Sequence, residues 1–166
     1  EKSLPLCGAH SLERNKPMNE KRIDVLGVGF DNFTMEEAVA EGVRQMNEPG
    51  AHYVVTPNPE IVEVCREDVE ARRAVNGADL VIPDGIGVIY GAKILGTPLK
   101  QKLPGIEFAE HLMEKMAEEK KTLYLLGAKP GIAEQAAEKL RERYPGLVIA
   151  GTHDGYFQKD EPVVAD

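Results

Sequence analysis

Short apolar runs alternate along this chain with segments of helical period. Ile23, Val25, Leu26 and Val28 form a β-branched run punctuated by Gly27 and Gly29. Thr34, with Glu37 three residues on, is a capping-box signature. The helix it opens carries Ala38, Val39, Val43 and Met46 on one face and stops at Asn47-Glu48-Pro49-Gly50. His52–Val55 predicts a second strand, closed by Thr56-Pro57-Asn58-Pro59. Helical period then returns twice, through Ile61, Val62, Val64 and Cys65 and through Val69, Ala71 and Ala74, ending at Asn76-Gly77. Leu80-Val81-Ile82 reads as a third strand and runs into Pro83-Asp84-Gly85. Two more helices follow, over Val88–Leu95 and through Ile106, Ala109, Leu112, Met113 and Met116. Leu123–Leu126 is a fourth strand, Pro130–Tyr144 a helix and Leu147–Ala150 a fifth strand.

Strands and helices therefore alternate, and the strands are near-continuous apolar runs, as parallel strands covered on both faces are. The fold class expected is α/β: an open, mostly parallel Rossmann-like sheet with helices on both faces. Residues 1–21 show no sustained period and read as a flexible arm, with Met18 as a candidate natural start. Residues 22–166 then form the α/β domain. Glu161–Asp166 reads as the opening of a further helix, so more protein is expected downstream.

Charge narrows the ligands. The 166 residues carry a net charge of -8, which argues against charge-driven binding to nucleic acid. The lysine pairs Lys100/Lys102 and Lys120/Lys121 read as solvated surface. The two cysteines, Cys7 and Cys65, have no metal-ligand or disulfide spacing, which fits a reduced intracellular setting. No apolar run approaches the ~20 residues that span a bilayer, and the N-terminus lacks a signal peptide's apolar core.

Most Gly/Pro/Asp-rich segments fall at the carboxyl end of a strand, where open α/β sheets bind ligands. Asp84 is the leading candidate among them. Pro83 fixes the approach to it, and Gly85 lets backbone come close to a ligand. A partly desolvated carboxylate there suits general-base work, and it equally suits an N-cap for the following helix. In Thr56-Pro57-Asn58-Pro59, the hydroxyl and amide can hydrogen-bond a sugar. Asn58 followed by Pro59 is also a common N-cap and N1 pair.

Three further segments carry weaker signals. Gly127-Ala128-Lys129-Pro130-Gly131 can cradle a phosphate through free N–H groups and Lys129, or be a plain βα turn. Gly151-Thr152-His153-Asp154-Gly155-Tyr156 offers Tyr156 for stacking and Asp154 for a ribose hydroxyl, or is a turn with a half-buried tyrosine. His153 reads as structural. Gly27-Val28-Gly29-Phe30-Asp31-Asn32 resembles the start of a dinucleotide fingerprint, with Asn32 where the third glycine belongs. The alternative readings are a nucleotide-dependent oxidoreductase on the same fold, against which the incomplete fingerprint counts, and a non-catalytic nucleotide-binding domain. No Asp-x-Asp occurs, which favours metal-free chemistry, and no Gly-x-Ser-x-Gly elbow is present.

Five motifs occur in order: Thr56-Pro57-Asn58-Pro59-Glu60, Ala78–Gly87, Leu103-Pro104-Gly105, Leu125–Gly131 and Gly151–Phe157. Together they resemble the WecG/TagA/CpsF glycosyltransferases, most closely the TagA branch of wall teichoic acid synthesis. The resemblance runs from about Ile23 to Phe157. It implies transfer of N-acetylmannosamine from UDP-N-acetylmannosamine to the 4-hydroxyl of N-acetylglucosamine on undecaprenyl diphosphate, with inversion, and with no metal or cofactor.

By that resemblance the base is Asp84, supported by Thr56. The substrate-binding set is Asn58, Gly85, Lys102, Gly127, Lys129, Gly131, Gly151, Asp154, Gly155 and Tyr156. Lys102 stands where relatives often carry Arg, keeping the charge without the bidentate fork. Family members continue past this end into a basic segment associated with the membrane and the active site. Part of the UDP pocket and the membrane contact are thus expected outside these residues. The resemblance further implies a cytoplasmic protein, peripheral at the inner face of the cell membrane. The apolar helix faces are compatible with a homo-oligomer.

Overall fold

A computed structural model describes residues 22–156. The predicted arm at 1–21 and the helix start at 161–166 lie outside the described residues. The described chain divides into two compact units, one of residues 22–33 and 52–102, the other of residues 34–51 and 103–156.

In the first unit the initial apolar run is a hairpin, which corrects the expectation of one strand. β1 (Arg22–Val25) pairs antiparallel with β2 (Val28–Asp31), Val25 opposite Val28. The chain reverses at Leu26 and Gly27, whose φ of 54° and 91° are both left-handed. A two-residue turn with two positive φ matches the strand twist, and Gly27 adopts it without strain.

β3 (Val54–Val55) runs parallel to β4 (Leu80–Val81). Backbone bonds continue this pairing at both ends: Asp79 N–H to the Tyr53 carbonyl at 3.0 Å, and Ile82 N–H to the Val55 carbonyl at 3.0 Å. Three helices complete the unit: α2 (Pro59–Glu67), α3 (Val69–Asn76) and α4 (Ile86–Ile94). The core joins Val25, Val28 and Phe30 of the hairpin to Val62 and Cys65 of α2, Val81 of β4, and Val88 and Ala92 of α4. Burial, with the Asp68 charge second, pushes the Cys65 thiol up, so it stays protonated at neutral pH.

One ion pair lies inside this core. The Arg22 guanidinium meets the Asp31 carboxylate at 3.0 Å, with side chains only 5% and 6% exposed. Such a pair holds only if its remaining donors and acceptors are met, and here they are. Arg22 also donates to the carbonyls of Asn76 and Ala78 at 2.9 and 2.8 Å, and Asp31 accepts from the N–H of Val81 at 2.8 Å. The pair therefore fastens the hairpin to β4.

In the second unit α1 (Met35–Met46) opens with the predicted capping box: Thr34 N–H donates to Glu37 at 2.7 Å, and Glu37 N–H to the Thr34 hydroxyl at 3.3 Å. It packs on α5 (Gly105–Glu118), and a Cβ at Gly42 would lie 3.1 Å from Leu112 and 3.2 Å from Phe108. β5 (Thr122–Leu126) runs parallel to β6 (Val148–His153), with α6 (Ile132–Arg143) packed against them. Met116, Tyr144 and Leu147 form a buried cluster in this unit.

The α/β class is borne out. Among the described residues the strands pair as three two-stranded ladders, one antiparallel and two parallel. β5 and β6 are not buried on both faces, since Tyr124, Leu126 and Val148 are exposed. Among the described residues no helix is long and apolar enough to cross a membrane.

Candidate active site

The site in the first unit is built where β3 and β4 end. Beyond the strands the parallel pairing takes one further step, with the N–H of Asp84 donating to the carbonyl of Pro57 at 3.2 Å. Thr56-Pro57-Asn58 and Asp84-Gly85 thus lie side by side as two short loops. Pro57 and Pro83 are fully buried, while Thr56, Asn58, Asp84 and Gly85 are half-buried.

Each loop leads into a helix N-terminus. Asn58 is the N-cap of α2, its side-chain oxygen accepting from the N–H of Ile61 at 2.9 Å, with Pro59 at the first helical position. The capping role foreseen for Asn58 is therefore filled. For Asp84 the cap is one residue off: Gly85 is the N-cap of α4, with φ 90°, and supplies no side-chain bond. Asp84 is the residue before that N-cap.

The two helix starts touch. A Cβ at Gly85 would stand 3.3 Å from Pro59 Cδ, and one at Gly87 only 2.7 Å from Pro59 Cγ. Gly87 is thus a site-shaping residue that the chemistry-led sequence reading passed over. The Gly85-x-Gly87 spacing was its visible signal. Lys102 is exposed on the stretch that follows α4, and the bonds just described do not include it. That stretch is tied to the hairpin by the N–H of Lys100, which donates to the Asn32 side chain at 2.7 Å.

Gly27–Asn32 belongs to no phosphate-binding turn. Gly27 sits in the hairpin loop and Gly29 within β2, its N–H donating to the Asn76 side chain at 2.9 Å. A dinucleotide fingerprint needs a strand, a glycine turn and then a helix. The antiparallel pairing removes that geometry.

The second unit has its own strand-end loops, after β5 and β6. Gly127 N–H donates to the His153 carbonyl and Gly155 N–H to the Ala128 carbonyl, both at 2.9 Å. These bonds bring Gly127, Lys129 and Gly131 beside Asp154, Gly155 and Tyr156. The first of them occupies an N–H group of the loop read as a phosphate cradle. The loop winds through left-handed backbone at Gly127, Ala128 and Gly131, with φ of 132°, 64° and 84°. Gly131 is the N-cap of α6 and caps it with no side chain. Lys129 and Tyr156 are exposed. Asp154 accepts from the N–H of Tyr156 at 2.7 Å.

Gly151 lies elsewhere than expected. β6 continues through His153, so Gly151 is inside the strand, and a Cβ there would fall 2.6 Å from the Tyr124 ring. Its backbone makes room for an aromatic ring. The Nδ1 of His153 lies 2.8 Å from the Asp154 carbonyl oxygen.

These arrangements fit sugar–nucleotide chemistry, and comparison with known proteins narrows them. A model described as the Glycosyl transferase WecG/TagA/CpsF family matches residues 23–166. The chain belongs to this family. The WecG/TagA/CpsF match takes in every candidate residue of both units. Curated relatives include the N-acetylglucosaminyldiphosphoundecaprenol N-acetyl-beta-D-mannosaminyltransferase of Bacillus spizizenii, 34% identical over 114 residues, covering 69% of this chain and 44% of the relative. A Staphylococcus aureus protein of the same description is 33% identical over 150 residues, covering 88% of this chain and 58% of its own. The chain spans about half the length of the curated relatives it matches.

Proposed function

We propose that the protein to which this chain belongs transfers N-acetylmannosamine from UDP-N-acetylmannosamine to N-acetylglucosamine on undecaprenyl diphosphate, in wall teichoic acid linkage-unit synthesis. The observation that carries the reading is Asp84: a half-buried residue at a strand end, held beside Thr56 by its backbone bond to Pro57 and one residue before the α4 N-cap Gly85. Family membership and the relatives' descriptions support the substrates.

The chemistry is a single displacement. The acceptor hydroxyl oxygen attacks the anomeric carbon while its proton passes to the Asp84 carboxylate. The bond from that carbon to the β-phosphate oxygen breaks, UDP leaves with the electron pair, and the anomeric centre inverts. Thr56 and Asn58 hold the sugar. Within the second unit, with the Gly127 and Gly155 N–H groups already engaged, the groups left for a diphosphate are the first turn of α6 and Lys129. Lys102 adds a cation, Tyr156 stacks on the uracil, and Asp154 takes a ribose hydroxyl with its second oxygen. No metal or cofactor is assigned a step.

The same reading places the complete protein at the inner face of the cell membrane, attached peripherally through a segment outside this chain. A homo-oligomeric state belongs to the same proposal. The Gly27–Asn32 segment lies in a hairpin and lends the oxidoreductase alternative no dinucleotide turn.

Calorimetry with UDP, UDP-N-acetylmannosamine and NADH tests the assignment. Binding of both uridine ligands and none of NADH is expected. NADH binding without UDP binding would overturn it.

A further inference from the structure

α4 has an unusual outer face. Of its nine residues only Lys93 is charged. Val88 and Ala92 are buried, and Gly91 lets the helix approach β1, where a Cβ would lie 3.4 Å from Val25. On the other side Ile86, Tyr90 and Ile94 are 56%, 58% and 85% exposed. Their i, i+4, i+8 spacing makes one stripe along the helix. Leu95, half exposed at the C-cap, extends it. A surface helix normally turns polar residues outward, and a contiguous exposed apolar stripe marks a contact surface.

Charge identifies the occupant. From residue 85 to 102 the ionisable acidic side chains vanish: the charges are Lys93, Lys100 and Lys102, in a chain that has 28 Asp and Glu and a net charge of -8. Lys93 and Lys102 are exposed. An apolar stripe edged by lysines matches an anionic lipid surface, where alkyl and aromatic groups enter the headgroup boundary and ammonium groups meet lipid phosphates. A second copy of the chain fits less well. Two-fold packing of the stripe on itself would bring the lysine flanks together, like charge against like.

Position gives the surface a purpose. α4 starts two residues after Asp84, so the stripe's first residue, Ile86, stands beside the proposed base. We propose that the outer face of α4, Ile86, Tyr90 and Ile94 with Lys93 and Lys102 at its edge, docks on anionic phospholipid. It holds Asp84 near the headgroup layer where a lipid-linked acceptor presents its sugar. This rests on the lipid acceptor of the proposed function. It adds a contact within this chain to the downstream segment invoked there.

Co-sedimentation of the whole chain with acceptor-free vesicles tests it. Phosphatidylglycerol/phosphatidylcholine vesicles should pellet the chain, pure phosphatidylcholine should not, and salt should weaken the binding. K93Q/K102Q should weaken it by about 25-fold, at roughly fivefold per lysine. I94E should reduce it at least tenfold, with an unchanged circular dichroism spectrum because Ile94 is exposed. Absence of phosphatidylglycerol-dependent binding, wild-type binding by I94E, or a wild-type dimer that I94E splits would each overturn the proposal. The vesicles hold no acceptor, so the result stands apart from catalysis. A chain that binds them while its complete protein lacks transferase activity counts against the proposed function alone. Transfer to a water-soluble acceptor without vesicle binding counts against the α4 surface alone.

Discussion

Asp84 and Pro57 are joined by one backbone hydrogen bond of 3.2 Å, and through it the loop that carries the proposed base is fixed to the loop that carries Thr56 and Asn58. The same loops meet again where Gly87 faces Pro59. A proline ring cannot swing aside, so a methyl group 2.7 Å from its Cγ must push the start of α4 outward. Gly87→Ala is expected to destabilise the chain by about 1–3 kcal/mol. Gly91→Ala on the same helix meets Val25 at an ordinary 3.4 Å and should be neutral or mildly stabilising. Urea unfolding of both variants checks the contrast, and equal midpoints would refute the close-approach account.

Asn58 is expected to matter twice. As the α2 N-cap its loss in Asn58→Ala should remove about 1 kcal/mol. Asn58→Asp keeps a capping oxygen and should retain stability within a few tenths of that unit. If Asn58 also holds sugar through its amide N–H groups, the Asp variant will be stable yet raise KM. Thermal melts beside transfer kinetics separate the two roles.

How much of this could be read from sequence depended on how local the cause was. The Thr34–Glu37 capping box and the Asn58-Pro59 helix start are settled within four residues, and both formed as read. Asp84 stayed ambiguous because the choice between base and cap turns on where β4 releases the chain. The Pro57 bond and the Gly85 cap put Asp84 one residue before the N-cap of α4, and both depend on tertiary pairing. The hairpin was hidden because Leu26 has no intrinsic preference for left-handed backbone. Gly151 looked like a loop residue, since the Tyr124 ring that demands it comes from another strand.

The Arg22–Asp31 pair gave no sequence signal at all, and it should be the most sensitive pair in the first unit. Asp31→Ala leaves a buried guanidinium without its carboxylate and the Val81 N–H without its acceptor. The expected loss is about 3–5 kcal/mol. Replacing both partners with apolar residues, Arg22→Met with Asp31→Leu, should cost less than the single change. Glu63→Gln, which breaks the exposed Arg66–Glu63 pair, should shift stability by under about 0.5 kcal/mol. Denaturant titrations of the set would expose an error in the buried network if Asp31→Ala matched Glu63→Gln.

Gly151 and Tyr124 make a clean double-mutant cycle. Gly151→Ala places a methyl against the ring and should be destabilising by about 1–3 kcal/mol. With Tyr124→Ala already present the methyl has room, so the second change should be nearly silent. Additive losses would mean that the ring does not govern this position.

The most direct test of the account is Asp84→Asn in the complete protein. Transfer from UDP-N-acetylmannosamine to a GlcNAc-diphosphate lipid should fall by roughly 10²–10⁴-fold, the usual contribution of a general base. UDP affinity and the circular dichroism spectrum should stay as in the wild type, because the amide keeps the shape of the carboxylate and the Pro57 bond uses only the backbone. Wild-type turnover in the Asp84→Asn protein would contradict the assignment of Asp84 as the base.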